Sequence, residues 1–165
     1  MKTVWKFTNK RELTAREFAD YFEKKVRGTI RKYQMPIHAV DGDSLNAKVI
    51  NNIIKNLPKR KGKISEENLD DISVAVLSEL MHGKAENLKK FLPKNQPLYF
   101  LSDKEIELYA KIKKIKGIKE ARKKMKKRAE KKDRREEKIN NFIKKIEEKN
   151  PDIRHNIIKA LDVFN

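Results

Sequence analysis

The sequence predicts a helix-rich α/β fold with a small parallel sheet. Two observations carry the strands: Ile37-His38-Ala39-Val40 runs into the turn Asp41-Gly42-Asp43, and Leu98-Tyr99-Phe100-Leu101 runs into the cap Ser102-Asp103-Lys104-Glu105. Each apolar run is followed by an amphipathic helix, and parallel strands need such crossover connections. The third observation is that apolar residues elsewhere recur at three and four residue steps, the period of a helix with one buried face.

The elements follow in order. Thr14 with Glu17 forms a capping box, and Phe18, Tyr21, Phe22, Val26, Ile30 and Tyr33 give the first helix its apolar face. Pro36 ends it. After residues 37–40, Ser44 or Asp43 caps a second helix whose stripe is Leu45, Val49, Ile53, Ile54 and Leu57. A basic turn around Gly62 leads to a very short strand at Ile64. Residues 68–81 read as a third helix buried through Leu69, Ile72, Val76, Leu77 and Leu80, with Gly83 as a left-handed cap. A short helix over residues 85–91, a loop with Pro93 and Pro97, the strand at 98–101 and a second capping box at Ser102 and Glu105 come next.

From residue 111 to 138 the composition changes, with sixteen Lys and Arg against five acids, so this stretch carries +11 of the formal +18. Ile118, Ala121, Met125 and Ala129 keep a thin four-residue period, which predicts a long, partly solvated helix. Asn150 with Pro151 opens a closing helix striped by Ile153, Ile157, Leu161 and Phe164. Two regions result: a core over residues 1–110, and residues 111–165, a basic helical arm with closing helices packed back on that core.

Charge and composition exclude several functions. A surplus of 42 Lys and Arg over 24 Asp and Glu repels itself unless something anionic neutralises it, and nucleic acid is the obvious counter-ion. No apolar run approaches the roughly 20 residues that span a bilayer. The first thirteen residues alternate apolar and charged types without a hydrophobic stretch, so no secretory signal is expected and the protein is placed in the cytoplasm. Zero cysteine excludes disulfides, thiolate catalysis and iron–sulfur ligation. His38, His82 and His155 lie far apart without metal-ligand spacing, so no metal site is expected.

Several segments, in order, resemble one family. Phe18 to Val26 with Thr29-Ile30-Arg31-Lys32-Tyr33 looks like the helix before its nucleotide site, and Ala39-Val40-Asp41-Gly42-Asp43-Ser44-Leu45 looks like a contracted A-V-S-G-G-K-D-S-L loop. Asn68-Leu69-Asp70-Asp71 is similar to its G-H-N-L-D-D segment. Pro97-Leu98-Tyr99 with Lys104-Glu105-Ile106-Glu107-Leu108-Tyr109-Ala110 resembles its P-L-x-x-x-x-E-K-E-I-x-x-Y-A, and Ile146-Glu147-Glu148-Lys149-Asn150-Pro151 its closing L-E-x-x-x-P. The family is that of the archaeal and eukaryotic tRNA 2-thiouridine synthetases, PP-loop ATP pyrophosphatases of HUP-like fold.

That resemblance implies a three-stranded parallel sheet, the remnant of a larger one, formed by residues 37–40, 62–64 and 98–101. It also implies a nucleotide site at Gly42, Ser44, Asp70 and Asp71. The departures matter more. A PP-loop holds pyrophosphate on backbone amides at a helix N-terminus with glycines and a lysine, and here one glycine survives and the lysine is gone. The cysteines that handle sulfur are absent as well. Catalysis is therefore not expected, no cofactor is assigned, and ATP is retained only as an alternative at the degenerate loop. For Asp70 and Asp71, capping and the helix dipole are the preferred explanation.

The basic segment keeps its chemistry. Lys113, Lys114, Lys116, Lys119, Arg122, Lys123, Lys126, Lys127, Arg128, Lys131, Arg134 and Arg135 make every helix face positive, which is all that phosphate contacts require. The expected function is a non-catalytic binder of RNA, with tRNA as the class the resemblance implies. Two alternatives stay open: a pseudoenzyme subunit that partners a full-length thiolation enzyme, and a residual ATP-binding protein.

Overall fold

Nine of the eighteen residues between Ala15 and Lys32 are charged, yet Phe18, Phe22, Val26 and Ile30 fall on one face and are buried, which is why this segment becomes the helix at the centre of the fold. The computed structural model describes residues 2–118, 120 and 134–164. Strands β1 (Thr3–Lys6) and β2 (Glu12–Thr14) form an antiparallel hairpin, followed by helices α1 (Ala15–Lys32), α2 (Leu45–Ile54), α3 (Leu69–Met81), a 3-10 helix (Ala85–Phe91), α4 (Asp103–Ile112), α5 (Arg134–Glu147), α6 (Ile153–Lys159) and a final 3-10 helix (Ala160–Phe164).

The helix starts are written locally. Thr14, Asn68 and Ser102 each form a reciprocal capping box with Glu17, Asp71 and Glu105, and Ser44 caps α2 through Ala47 N at 2.9 Å. Gly83 adopts φ +69, the left-handed turn that closes α3.

The parallel sheet is not there. Among the described residues the sheet is the two-stranded antiparallel pair β1–β2, and the three expected strands take other forms. Residues 37–40 make one antiparallel bridge, Ile37 with Arg60, and then Val40 satisfies its backbone on a side chain: its N–H donates to Asn51 Oδ1 at 2.8 Å and its carbonyl accepts from Asn51 Nδ2 at 2.9 Å. A side-chain amide on α2 has taken the place of a neighbouring strand. Residues 98–101 form a turn, with Tyr99 N–H donating to Gln96 O and Leu101 N–H to Leu98 O. Leu98 and Leu101 therefore point into one apolar cluster and Tyr99 into another, a three-residue period rather than the alternation of a strand. Gly62, with φ +140, lets the chain pass Pro36, whose Cγ would lie 2.5 Å from any Cβ placed there.

The long basic helix also differs at its start. The helix ends at Ile112, Lys114 is left-handed at φ 51, and Gly117 follows at φ 76, so α4 does not run on into the basic segment. Residues 119 and 121–133 lie outside the described residues.

Two apolar layers result. The hairpin, α1, α2 and α4 enclose Phe18, Phe22, Val49, Ile50 and Ile106, with the Phe22 and Tyr109 rings stacked at 4.3 Å and 13°. Leu69, Ile72 and Val76 of α3 pack with Tyr99, Ile158 and Leu161, and Val74 packs with Ile139 and Ile143 of α5. α3 thus packs on the C-terminal helices and the 3-10 helix at Ala85–Phe91, and is tied to the start of α4 at its N-terminus, where Leu69 N–H donates to Leu101 O. No helix among the described residues is long and apolar enough to cross a membrane.

Candidate functional site

Where the N-termini of α3 and α4 meet, they open into a cleft of about 820 Å³, walled by Trp5, Phe7 and Tyr21 and rimmed by Lys6, Lys104 and Lys144. Its floor is built by caps. Asn68 Oδ1 accepts from the N–H groups of Asp70 (2.9 Å) and Asp71 (3.2 Å), and Asn68 Nδ2 donates to Asp103 Oδ1 at 2.7 Å. Asp103 N–H in turn donates to Asp70 Oδ2 at 2.8 Å. Each helix start is thereby fastened to the other.

Arg154 of α6 completes the floor. It is 2 % exposed, with Nε 3.0 Å from both Asp70 Oδ1 and Glu147 Oε1, while its two terminal nitrogens donate to Ser73 Oγ and Asn140 Oδ1 at 3.0 Å. A buried guanidinium needs such complete pairing. Burial raises the pKa of Asp70 despite the guanidinium beside it, and burial followed by the charge of Asp70 pushes Asp103 up to about 6. On the α1 side, Glu105 accepts from Ser102 N–H (2.8 Å) and Ser102 Oγ (2.9 Å), and Lys25 Nζ lies 3.6 Å from its other oxygen. Perturbed carboxylates in a cleft often mark function, yet these direct their oxygens at one another's donors and hold four helices together. Among the described residues no group of three or more His, Cys, Asp or Glu is placed to hold a metal ion.

The expected nucleotide residues fall into separate networks. Asp71 serves the α3 capping box, its Oδ2 accepting from Asn68 N–H at 3.4 Å, and Asp70 belongs to Arg154. Gly42 and Ser44 face Glu66 instead. Ser44 Oγ donates to Glu66 Oε2, Asn46 Nδ2 donates to the Glu66 carbonyl at 2.8 Å, and a Cβ on Gly42, at φ +142, would lie 3.3 Å from Glu66 Oε1. An internal carboxylate thus lies against the turn that opens α2, and a second anion there would be repelled.

Of the basic residues, Lys113 Nζ lies 2.8 Å from Glu23 Oε1 and 5.9 Å from the Tyr109 ring centroid. Lys114 and Lys116 are exposed in the turn after α4, and Arg134 and Arg135 are exposed at the start of α5. Lys119, Arg122, Lys123, Lys126, Lys127, Arg128 and Lys131 lie outside the described residues. Sequence reasoning missed Arg154, Asp103, Glu147 and Glu66. For Arg154 a signal existed: it stands four residues before Ile158 and seven before Leu161, on the buried stripe of α6 rather than beside it.

No family model matches the sequence, and no curated protein does either. Among solved structures, the chain is similar to the U34-tRNA thiolase NcsA from Methanococcus maripaludis, determined with its [4Fe-4S] cluster, at TM-score 0.66 and 12% identity over 98% of this chain and 84% of that one. The likeness shows a tRNA-thiolase-like fold. This chain has no cysteine, the residue whose thiolate ligates iron–sulfur clusters.

Proposed function

We propose that this chain is a non-catalytic RNA-binding protein of the cytoplasm, related to tRNA modification, that keeps a thiolase-like fold and holds RNA, tRNA foremost, through its phosphates. The observation that carries this reading is the Glu66 carboxylate lodged against Gly42 and Ser44, where a polyphosphate would need free amides and no competing charge. The absence of cysteine removes sulfur chemistry independently. What is left is the charge: +18 overall, with sixteen Lys and Arg between residues 111 and 138. Each lysine or arginine that neutralises a phosphate releases counter-ions, which supplies affinity without requiring base contacts.

A salt titration of tRNA binding tests the reading. Log affinity is expected to fall linearly and steeply with log salt, losing about 10³-fold or more between 50 and 200 mM if six or more phosphates are contacted. Binding that ignores salt, or no binding at low salt, would overturn it.

A second reading, a subunit that pairs with an active thiolation enzyme, is supported by apolar side chains that stay exposed: Leu80 and Met81 at the end of α3 and Phe142 on α5. Its test is co-purification from the native cell, where a thiolation enzyme in stoichiometric amount supports it and a solitary chain removes it.

A further inference from the structure

Behind the C-terminus of α1 lies a second cavity, about 350 Å³, enclosed by the 91–100 segment and the two last helices. Its floor is Ile158 and Leu161, both nearly fully buried, with Leu92 and Pro93 beside them. Its wall is aromatic. The Tyr33 and Phe100 rings lie 6.4 Å apart at 30°, and Phe100 meets Tyr99 edge-on at 4.7 Å. Tyr99 is held in place by its hydroxyl, which donates to Phe91 O at 2.8 Å. His155 donates from Nε2 to Phe100 O at 3.2 Å, fixing the backbone that carries the second ring.

The mouth is charged. Lys32 and Lys159 are exposed at the rim, Lys32 Nζ standing 5.1 Å from the Tyr33 ring centroid, and Asp162 is the acid among them. The cavity therefore joins an apolar slot, half-buried ring surfaces and a net positive rim. Its volume falls at the low end of small-ligand seats, about 300–1,000 Å³, the scale of one base with its sugar. The larger cleft is mixed in charge: Asp70, Asp103, Glu105, Glu147, Glu148 and Asp152 line it together with Lys6, Lys25, Lys104, Lys144 and Arg154. The rim of the smaller cavity, two lysines against one aspartate, gives a phosphodiester a net attraction.

We infer that the cavity between Tyr33, Phe100 and Leu161 seats a single unpaired nucleotide of the bound RNA, its base on the aromatic wall and its flanking phosphates on Lys32 and Lys159. The inference rests on the RNA-binding reading and adds a preference to it. Phosphate contacts alone treat duplex and single strand alike, whereas a stacking seat accepts only a base free of its own stack. Every base has a π face, so the seat is selective for single-stranded character rather than for sequence.

The test uses the full chain and a single-stranded RNA oligonucleotide carrying 5-iodouridine, photocrosslinked and mapped by peptide mass spectrometry. Crosslinks are expected at Tyr33 or Phe100. Tyr33→Leu, which keeps an apolar side chain at a half-buried position, is expected to weaken single-strand binding about tenfold, with duplex RNA affinity and the salt slope unchanged. Trp5, the one tryptophan of the chain, lies on the wall of the larger cleft and reports occupancy there. RNA that binds with a normal salt slope but crosslinks elsewhere, or quenches Trp5 while Tyr33→Leu has no effect, would overturn the seat and leave the phosphate-binding reading standing. Absence of any RNA binding at low salt would overturn both. Where Tyr33→Leu does not fold, the crosslink map on the unaltered chain decides alone.

Discussion

Arg154 Nε lies 3.0 Å from Asp70 Oδ1, joining the last α-helix to the first turn of α3 through a guanidinium that is 2 % exposed. Glu147, Ser73 and Asn140 complete its shell, so one side chain fixes α3, α5 and α6 against each other. Arg154→Met would strand Asp70 and Glu147 without a counter-charge. Breaking a buried pair in this way costs about 3–5 kcal/mol, which for a domain of this size lowers Tm by on the order of 10 °C. Adding Asp70→Asn and Glu147→Gln to Arg154→Met should recover part of the loss, because the stranded charges are then gone. Thermal denaturation of the three proteins checks this; equal Tm values for Arg154→Met and the unaltered chain would refute the structural role.

Asp103 gives the fold a pH dependence of unusual sign. Its pKa rises from the ordinary carboxylate value to about 6, through burial first and the charge of Asp70 second. Between about pH 4 and pH 6 the folded chain keeps a proton that the unfolded chain has released. The associated stability is complete below the unfolded pKa and is lost as pH rises through 6. Asp103→Asn keeps an acceptor for Asn68 Nδ2 and cannot ionise. Its Tm should exceed that of the unaltered chain at pH 7.5, by on the order of 5 °C, and the difference should shrink as pH falls below 6 and vanish or reverse only below about pH 4. A difference that is flat across this range would contradict the assignment.

Glu66 should matter to stability and not to ligand binding. It accepts from Ser44 Oγ through its carboxylate and from Asn46 through its carbonyl, and only the first of these is lost in Glu66→Ala. Loss of one charge-assisted hydrogen bond is expected to cost about 1.5–3 kcal/mol. Titrating the unaltered chain with millimolar ATP and magnesium in a calorimeter should give no heat. Measurable binding would show that the turn opens and that the carboxylate is displaceable.

Much of this organisation was legible because helix starts are local. Thr14 with Glu17 and Ser102 with Glu105 formed as read, Ser44 rather than Asp43 caps α2, and the Asn68 cap of α3, which was not read, is just as local. The strands were not legible, since a four-residue apolar run between turn signals fits a buried strand and a buried turn equally. What decided residues 37–40 was Asn51, eleven positions away, and what decided 98–101 was that Leu98 and Leu101 share a cluster from which Tyr99 is excluded. The hairpin was overlooked: in Thr3 to Lys6 only Val4 and Trp5 are half-buried, and the Trp5 ring lies 5.4 Å from that of Phe18. On α3 the predicted stripe ran one turn too far: Leu80 is 45% exposed, because the C-terminal helices cover only the first part of the helix. The cleft floor was hidden for a different reason. Asp70, Asp103 and Arg154 meet only through tertiary packing, and an arginine on an amphipathic helix reads as solvated until its partners are known.

The basic residues should not contribute equally to RNA binding, and their differences are readable from the fold. If Lys116 contacts a phosphate, Lys116→Gln removes one released counter-ion and lowers the slope of log affinity against log salt by about one. Lys113→Gln should lower it by less. The Lys113 ammonium already lies 2.8 Å from Glu23 Oε1 and near the Tyr109 ring, and Glu23, whose pKa is lowered in part by that lysine, holds the charge against the body of the protein. Moving the ammonium to a phosphate would surrender the contact with Glu23, so part of its counter-ion release is prepaid inside the fold. Glu23→Gln should then free Lys113 and steepen the slope relative to the unaltered chain. Measuring tRNA affinity of Lys116→Gln, Lys113→Gln and Glu23→Gln at four or more salt concentrations gives the three slopes. Identical slopes for the two lysine variants would mean that neither their exposure nor the Glu23 pairing governs how this surface meets nucleic acid.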